Sequence, residues 1–89
     1  MKLVSKVRVK NRLGLHARPA AVIARLLQEC QSDVSLTHQK RTINARSIMS
    51  ILVLAAKKNA QITITVEGVD AEETLQKLID LFENQFDET

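Results

Sequence analysis

The sequence predicts an α+β fold, an open-faced β-sandwich of order β-α-β-β-α-β-α in which three helices cover one face of a four-stranded antiparallel sheet. Three observations carry this. Two segments alternate apolar and polar residues with period two, as half-buried strands do, and two others repeat apolar residues at helical spacing. Each strand and each helix has one apolar face, and the simple packing places the helices on one side of the sheet with the other side in water. With 89 residues, 45% of them hydrophobic, and no proline- or glycine-rich linker, residues 1–89 are expected to form one domain. A chain of this size buries roughly 60–65% of its unfolded surface, enough for a modest core, so chemistry is expected at the surface rather than in a deep pocket.

In the opening segment Leu3, Val7 and Val9 share one parity and Lys6, Arg8 and Lys10 the other, which is the pattern of a first strand. Ala20, Ile23, Ala24, Leu27 and Cys30 then follow helical spacing, predicting a helix from Ala17 to about Cys30. Val34, Leu36 and Ile43 mark two short strands joined through His38, Gln39, Lys40 and Arg41, a polar stretch that reads as the turn of a hairpin. Ser47 is suited to cap a second helix running to about Ala56, with Asn59 able to adopt the left-handed conformation that ends it. Ile62, Ile64 and Val66 alternate with Thr63 and Thr65 in the clearest strand, ended by Gly68. Asp70 and Glu73 have capping-box spacing, and Leu75, Leu78, Ile79, Phe82 and Phe86 form the apolar stripe of a long last helix whose acidic residues are expected to face solvent.

The net charge of +3 is unevenly spread: residues 1–69 hold twelve Lys and Arg against Glu29, Asp33 and Glu67, whereas residues 70–89 hold Lys77 against seven acids. A basic body attracts phosphorylated or acidic partners. The two aromatic residues, Phe82 and Phe86, lie in the acidic tail, leaving no stacking platform for bases, so nucleic acid is not expected as a partner. The amino-terminal residues lack the apolar run of a signal peptide and no segment approaches the roughly 20 apolar residues of a membrane span. No membrane insertion is expected, and the single cysteine, Cys30, fits a cytoplasmic location. His38 has no second ligand at metal-site spacing, and neither a metal nor a cofactor is expected.

Residues 14–20 read Gly-Leu-His-Ala-Arg-Pro-Ala. A helix start presents unpaired N–H groups and a partial positive charge that favour a bound phosphate. Arg18 adds a permanently charged donor fork, and Pro19 is tolerated in the first turn because the N–H it lacks has no helical partner there. Histidine offers a neutral nitrogen nucleophile near neutral pH. His16 is therefore the candidate phosphoryl acceptor and Arg18 the candidate phosphate-stabilising residue.

This run resembles the active-site motif of the HPr family, the histidine-containing phosphocarriers of the phosphoenolpyruvate-dependent sugar phosphotransferase system. The resemblance continues through Asn44-Ala45-Arg46-Ser47-Ile48-Met49, which is similar to the family's second-helix segment, and through residues 62–68 with Asp70-Ala71-Glu72-Glu73 following. It implies that His16 accepts a phosphoryl group at Nδ1 from phosphorylated enzyme I and passes it to enzyme II components, the enzyme IIA domains among them. The chain would thus be a carrier in a relay rather than a stand-alone enzyme. A carrier must release its cargo, so His16 is expected to be at least partly exposed, and a carrier showing one face to successive partners is best served as a monomer.

Residues 48–56 of the second helix are apolar almost all round, which one sheet face cannot cover, so part of this helix is expected to form a docking patch. The partner surface is assigned to Ala17, Arg25, Ile48, Met49 and Leu52, with Arg25 two turns after Arg18 on the same helix side. By the resemblance Ser47 matches the regulatory serine of HPr proteins found with an HPr kinase/phosphorylase, so phosphorylation there would add charge beside the patch. Lys40 and Asn59 stand where the family usually has glycine, which predicts a looser hairpin, and Ser50 replaces a common glycine. Two alternative functions are a regulatory protein-binding module acting through the second helix in sugar or nitrogen control, and a small basic RNA-binding domain.

Overall fold

In the computed structural model, which describes residues 1–88, the strands are β1 (Lys2–Arg8), β2 (Asp33–His38), β3 (Arg41–Asn44) and β4 (Gln61–Glu67). The helices are α1 (Ala17–Gln28), α2 (Ile48–Val53) and α3 (Ala71–Glu83), followed by a single 3-10 turn at Gln85–Asp87. The four strands form one sheet in the order β1-β4-β2-β3, every pair antiparallel. β4 lies between β1, with Ser5 opposite Ile64, and β2, with Leu36 opposite Ile64. This interior position explains the unbroken alternation read from its sequence: Ile62, Ile64 and Val66 are fully buried, while Thr63 and Thr65 lie on the wetter face. The core joins these residues to Leu36 of β2, Ile23 and Leu27 of α1, Ile51 of α2, and Leu78 and Phe82 of α3.

Several boundaries differ from the sequence expectation for identifiable reasons. α2 ends at Val53 instead of about Ala56, and Ala55, with φ 49°, takes the left-handed conformation assigned to Asn59. Asn59 is also left-handed, with φ 77°, but serves the turn into β4, where its N–H donates to the Val9 carbonyl. α1 stops at Gln28, two residues short of Cys30. There Arg46 donates to the carbonyls of Leu27, Cys30 and Ser32, supplying partners to a helix end that has exhausted its own. The β2–β3 hairpin is tight, not loose: His38 pairs with Arg41, and the left-handed residue is Gln39 (φ 57°) rather than Lys40.

The last helix also departs from its expected form. Asp70 precedes α3, but its side chain does not cap the helix. The carboxylate accepts instead from the Gln31 N–H (2.9 Å) and the Ser32 hydroxyl, tying α3 to the start of β2. The Gln31 amide first, then Ser32, holds this carboxyl below its ordinary value of 3.8. A depressed carboxyl stabilises the fold above its ordinary value, and that contribution disappears as pH falls through the lowered one. Asp70→Asn is therefore expected to flatten the acid limb of a stability-against-pH curve without changing its shape above pH ~5, as thermal melts would show.

Phe86 lies beyond α3, not on it. It is buried in the 3-10 turn and meets Phe82 edge to face, with ring centroids 5.0 Å apart. This contact turns the end of the chain back toward the amino-terminal end of α1.

Candidate functional site

His16 occupies the N-cap position of α1 with an extended backbone (φ −78°, ψ −170°), and its carbonyl accepts from the Ala20 N–H at 3.0 Å. Its ring makes no capping hydrogen bond, so the side chain is free for other chemistry. Ala17 and Arg18 open the helix and Pro19 is buried beneath it, so the N–H groups of Ala17 and Arg18 have no helical acceptor. The ring is partly open, with 32% of its side-chain surface exposed, and Arg18 beside it is more open still.

Gly14 brings the histidine to this place. Its φ of +71° is a left-handed conformation, and a Cβ there would run into the Ala56 carbonyl oxygen and lie 2.9 Å from the Lys57 Cα. The close approach lets the Leu15 N–H donate to the Ala56 carbonyl at 2.9 Å, which fastens the loop carrying His16 to the segment that follows α2. On the other side Asn11, fully buried, donates from Nδ2 to the Gly14 carbonyl at 2.7 Å.

Residues that follow α3 complete the site. Glu88 Oε2 lies 2.8 Å from His16 Nε2 and accepts from Arg18 Nη1 at 3.1 Å, while Oε1 accepts from Asn11 Nδ2 at 2.9 Å. Arg18 Nη1 also donates to the Phe86 carbonyl at 2.7 Å. Burial is the largest influence on the Glu88 carboxyl and pushes its pKa up, but the hydrogen bonds from Asn11, His16 and Arg18 together outweigh it and hold the group below its ordinary value of 4.5. The reading of the acidic tail as a solvated helix face thus fails at Glu88, which folds back as a ligand of the site's donors. Asn11, Phe86 and Glu88 were not legible as site residues. Asn11 has only the Asn-to-Gly14 spacing as a signal, and Glu88 is separated from His16 by nearly the whole chain.

The other sequence-assigned residues lie on α1 and α2. Ile48, Met49 and Val53 are 41%, 72% and 52% exposed, an apolar surface that the sheet leaves uncovered, with Leu52 half-buried among them. Ala17 is exposed beside His16. Arg25 is exposed but turns to a groove shared with α3, lined by Val22, Leu26, Glu29, Lys77, Asp80 and Leu81. Ser47 caps α2, its Oγ accepting from the Ser50 N–H at 3.1 Å. Among the described residues no cluster of three potential metal ligands occurs, and no helix is long and apolar enough to cross a membrane.

Comparison with known proteins places these features in a family. Residues 4–84 match the PTS HPr component phosphorylation site family. Phosphocarrier protein HPr of Chlamydia pneumoniae is 46% identical over 80 residues, spanning 90% of this chain and 74% of that protein. Phosphocarrier protein HPr of Xylella fastidiosa strain Temecula1 is 38% identical over 86 residues, 97% of each chain. Among solved structures, HPr-C-His from Thermoanaerobacter tengcongensis superposes with a TM-score of 0.93 at 33% identity, covering 98% of both chains. With His16 at a helix start, Arg18 at its side and a matching sheet order, the chain belongs to the HPr family of phosphotransferase-system phosphocarriers.

Proposed function

We propose that the protein accepts a phosphoryl group on His16 from phosphorylated enzyme I and delivers it to enzyme IIA domains of a sugar phosphotransferase system. The observation that carries this reading is the His16 ring itself: it stands at the mouth of α1, partly exposed and unused as a cap, beside the Arg18 guanidinium. Arg18 offsets charge on the transferring group, and the free amides at the start of α1 receive its oxygens. An open, wet site stabilises phosphohistidine without trapping it, as transfer in two directions requires. The exposed apolar residues of α2, with Ala17 and the basic body around them, form the surface offered to acidic partners. In this role the protein works as a monomer in the cytoplasm, without metal or cofactor.

Mass spectrometry after incubation with phosphoenolpyruvate and active enzyme I tests the reading. The expected product carries one phosphoryl group that is lost in mild acid. Absence of modification, with enzyme I shown active on another HPr, would favour a regulatory binding module instead.

Ser47 supports regulation of the same surface by an HPr kinase/phosphorylase. Ser47 is half-buried and lies next to Ile48 and Met49 in sequence. A phosphate there adds roughly −2 charge beside the docking patch and repels an acidic enzyme I surface. Phosphorylated Ser47 is expected to slow phosphorylation of His16 by roughly tenfold or more, about 1.4 kcal/mol of lost encounter and docking energy. Equal stopped-flow rates for the two forms would exclude this control.

A further inference from the structure

The His16 imidazole has two nitrogens, and the protein contacts them unequally. Nε2 lies 2.8 Å from Glu88 Oε2. A carboxylate held ionised by Asn11 and Arg18 can only accept, so the nitrogen facing it must donate. In the neutral ring the proton then resides on Nε2 and the lone pair on Nδ1. Glu88 is itself held from several sides: its two oxygens are anchored to fully buried Asn11 and to Arg18, and the chain behind it is anchored by buried Phe86.

The backbone shows that this placement is maintained against a cost. Gln85, Phe86 and Asp87 all have left-handed angles (φ 55°, 53° and 60°), although none is glycine. Such residues cost roughly 1–2 kcal/mol each, so the turn persists only because its contacts over-determine it. Phe86 packs on Phe82, and its carbonyl accepts from Arg18 at 2.7 Å.

We propose that Glu88 is a positioning residue for phosphoryl transfer: its carboxylate fixes His16 with Nε2 protonated and so presents Nδ1 as the nucleophile. The inference rests on the carrier reading for its reaction, but not for its geometry. In the step, the Nδ1 lone pair forms the N–P bond while the bond from phosphorus to the donor's leaving atom breaks, its electron pair going to the donor. Nε2 keeps its proton, so the ring becomes a phosphoimidazolium, and the Glu88 carboxylate faces the new positive charge. Onward transfer reverses the sequence and returns the pair to Nδ1. This is the logic by which a carboxylate orients a catalytic imidazole, here supplied by the segment after α3.

The test compares the full chain with Glu88→Ala and Glu88→Gln. Ring nitrogen-15 NMR of the unphosphorylated proteins, with no donor present, reports the His16 tautomer, and single-turnover mixing with phosphorylated enzyme I reports the rate. Wild type is expected to show the Nε2–H form alone. Glu88→Ala should admit the Nδ1–H form and accept phosphoryl roughly tenfold more slowly, a smaller loss than at a fully buried orienting carboxylate because solvent screens this one. Glu88→Gln keeps an acceptor without the charge, and should restore the tautomer more fully than the rate. An unchanged tautomer in Glu88→Ala, or a rate equal to or above wild type in both variants, would overturn the proposal, the faster rate marking Glu88 as an obstruction to incoming phosphate. Failure of wild type to accept phosphoryl at all would instead count against the carrier reading, since the tautomer measurement stands without it.

Discussion

Replacing His16 with alanine is expected to abolish phosphoryl acceptance and to leave the fold standing. The side chain makes no capping bond, so α1 loses no hydrogen bond to its ring, and His16 contributes to the helix through a carbonyl that alanine also has. The cost to stability is that of an exposed N-cap without a capping interaction to lose, well under 1 kcal/mol, together with the bond to Glu88. Chemistry has no substitute at this position: the second histidine, His38, ends β2 with its ring by the Gln61 carbonyl, and makes no bond to Arg18 or Glu88. Arg18→Ala separates the two roles. It retains the nucleophile and removes the charge that offsets the phosphoryl oxygens, so acceptance should slow by roughly 10²-fold, while circular dichroism and the melting temperature stay close to wild type. An unfolded Arg18→Ala protein would show that its bonds to Phe86 and Glu88 serve the structure before the chemistry.

Gly14→Ala is expected to produce the largest loss of stability from a single methyl group. The left-handed backbone at φ +71° disfavours any side chain, and the new Cβ would press on backbone atoms of Ala56 and Lys57, which cannot rotate aside. Strain and steric displacement together amount to about 3 kcal/mol. For a domain of this size that lowers the melting temperature by roughly 12–24 °C. The clash lies at the bond between Leu15 and Ala56, so the substitution also releases the loop that carries His16. Thermal unfolding followed by circular dichroism measures the first effect. A shift below about 5 °C would mean that the loop adapts without strain.

Much of this architecture is legible from residue pattern alone, because burial imposes the pattern. β4 reads clearly since it is flanked by strands on both edges and packed on one face. α1 reads clearly since Ala20, Ile23, Ala24 and Leu27 must all meet the core. The apolar pattern of α2 runs past the helix itself because Leu54 and Ala56 remain buried after it has ended, and apolar content alone does not distinguish a buried helix from a buried irregular segment. Asp70 at capping-box spacing satisfied a local rule, but its carboxylate is used by distant Gln31 and Ser32. The candidate site shows the same division. His16, Arg18 and Pro19 lie within four residues and share one local logic, that of an anion-binding helix start. Asn11 and Glu88 join them only through the tertiary fold, which depends on Phe86 adopting a left-handed turn that no sequence rule favours.

Delivery of the phosphoryl group is the decisive measurement for His16 as a carrier. Protein phosphorylated with radiolabelled phosphoenolpyruvate and enzyme I would be purified away from both and mixed with an enzyme IIA domain. Label is expected to leave this chain and appear on the acceptor at a matching rate, and His16→Ala protein is expected to carry no label to deliver. Label that stays on the chain, or is released only as free phosphate while the acceptor remains unlabelled, would contradict the carrier role.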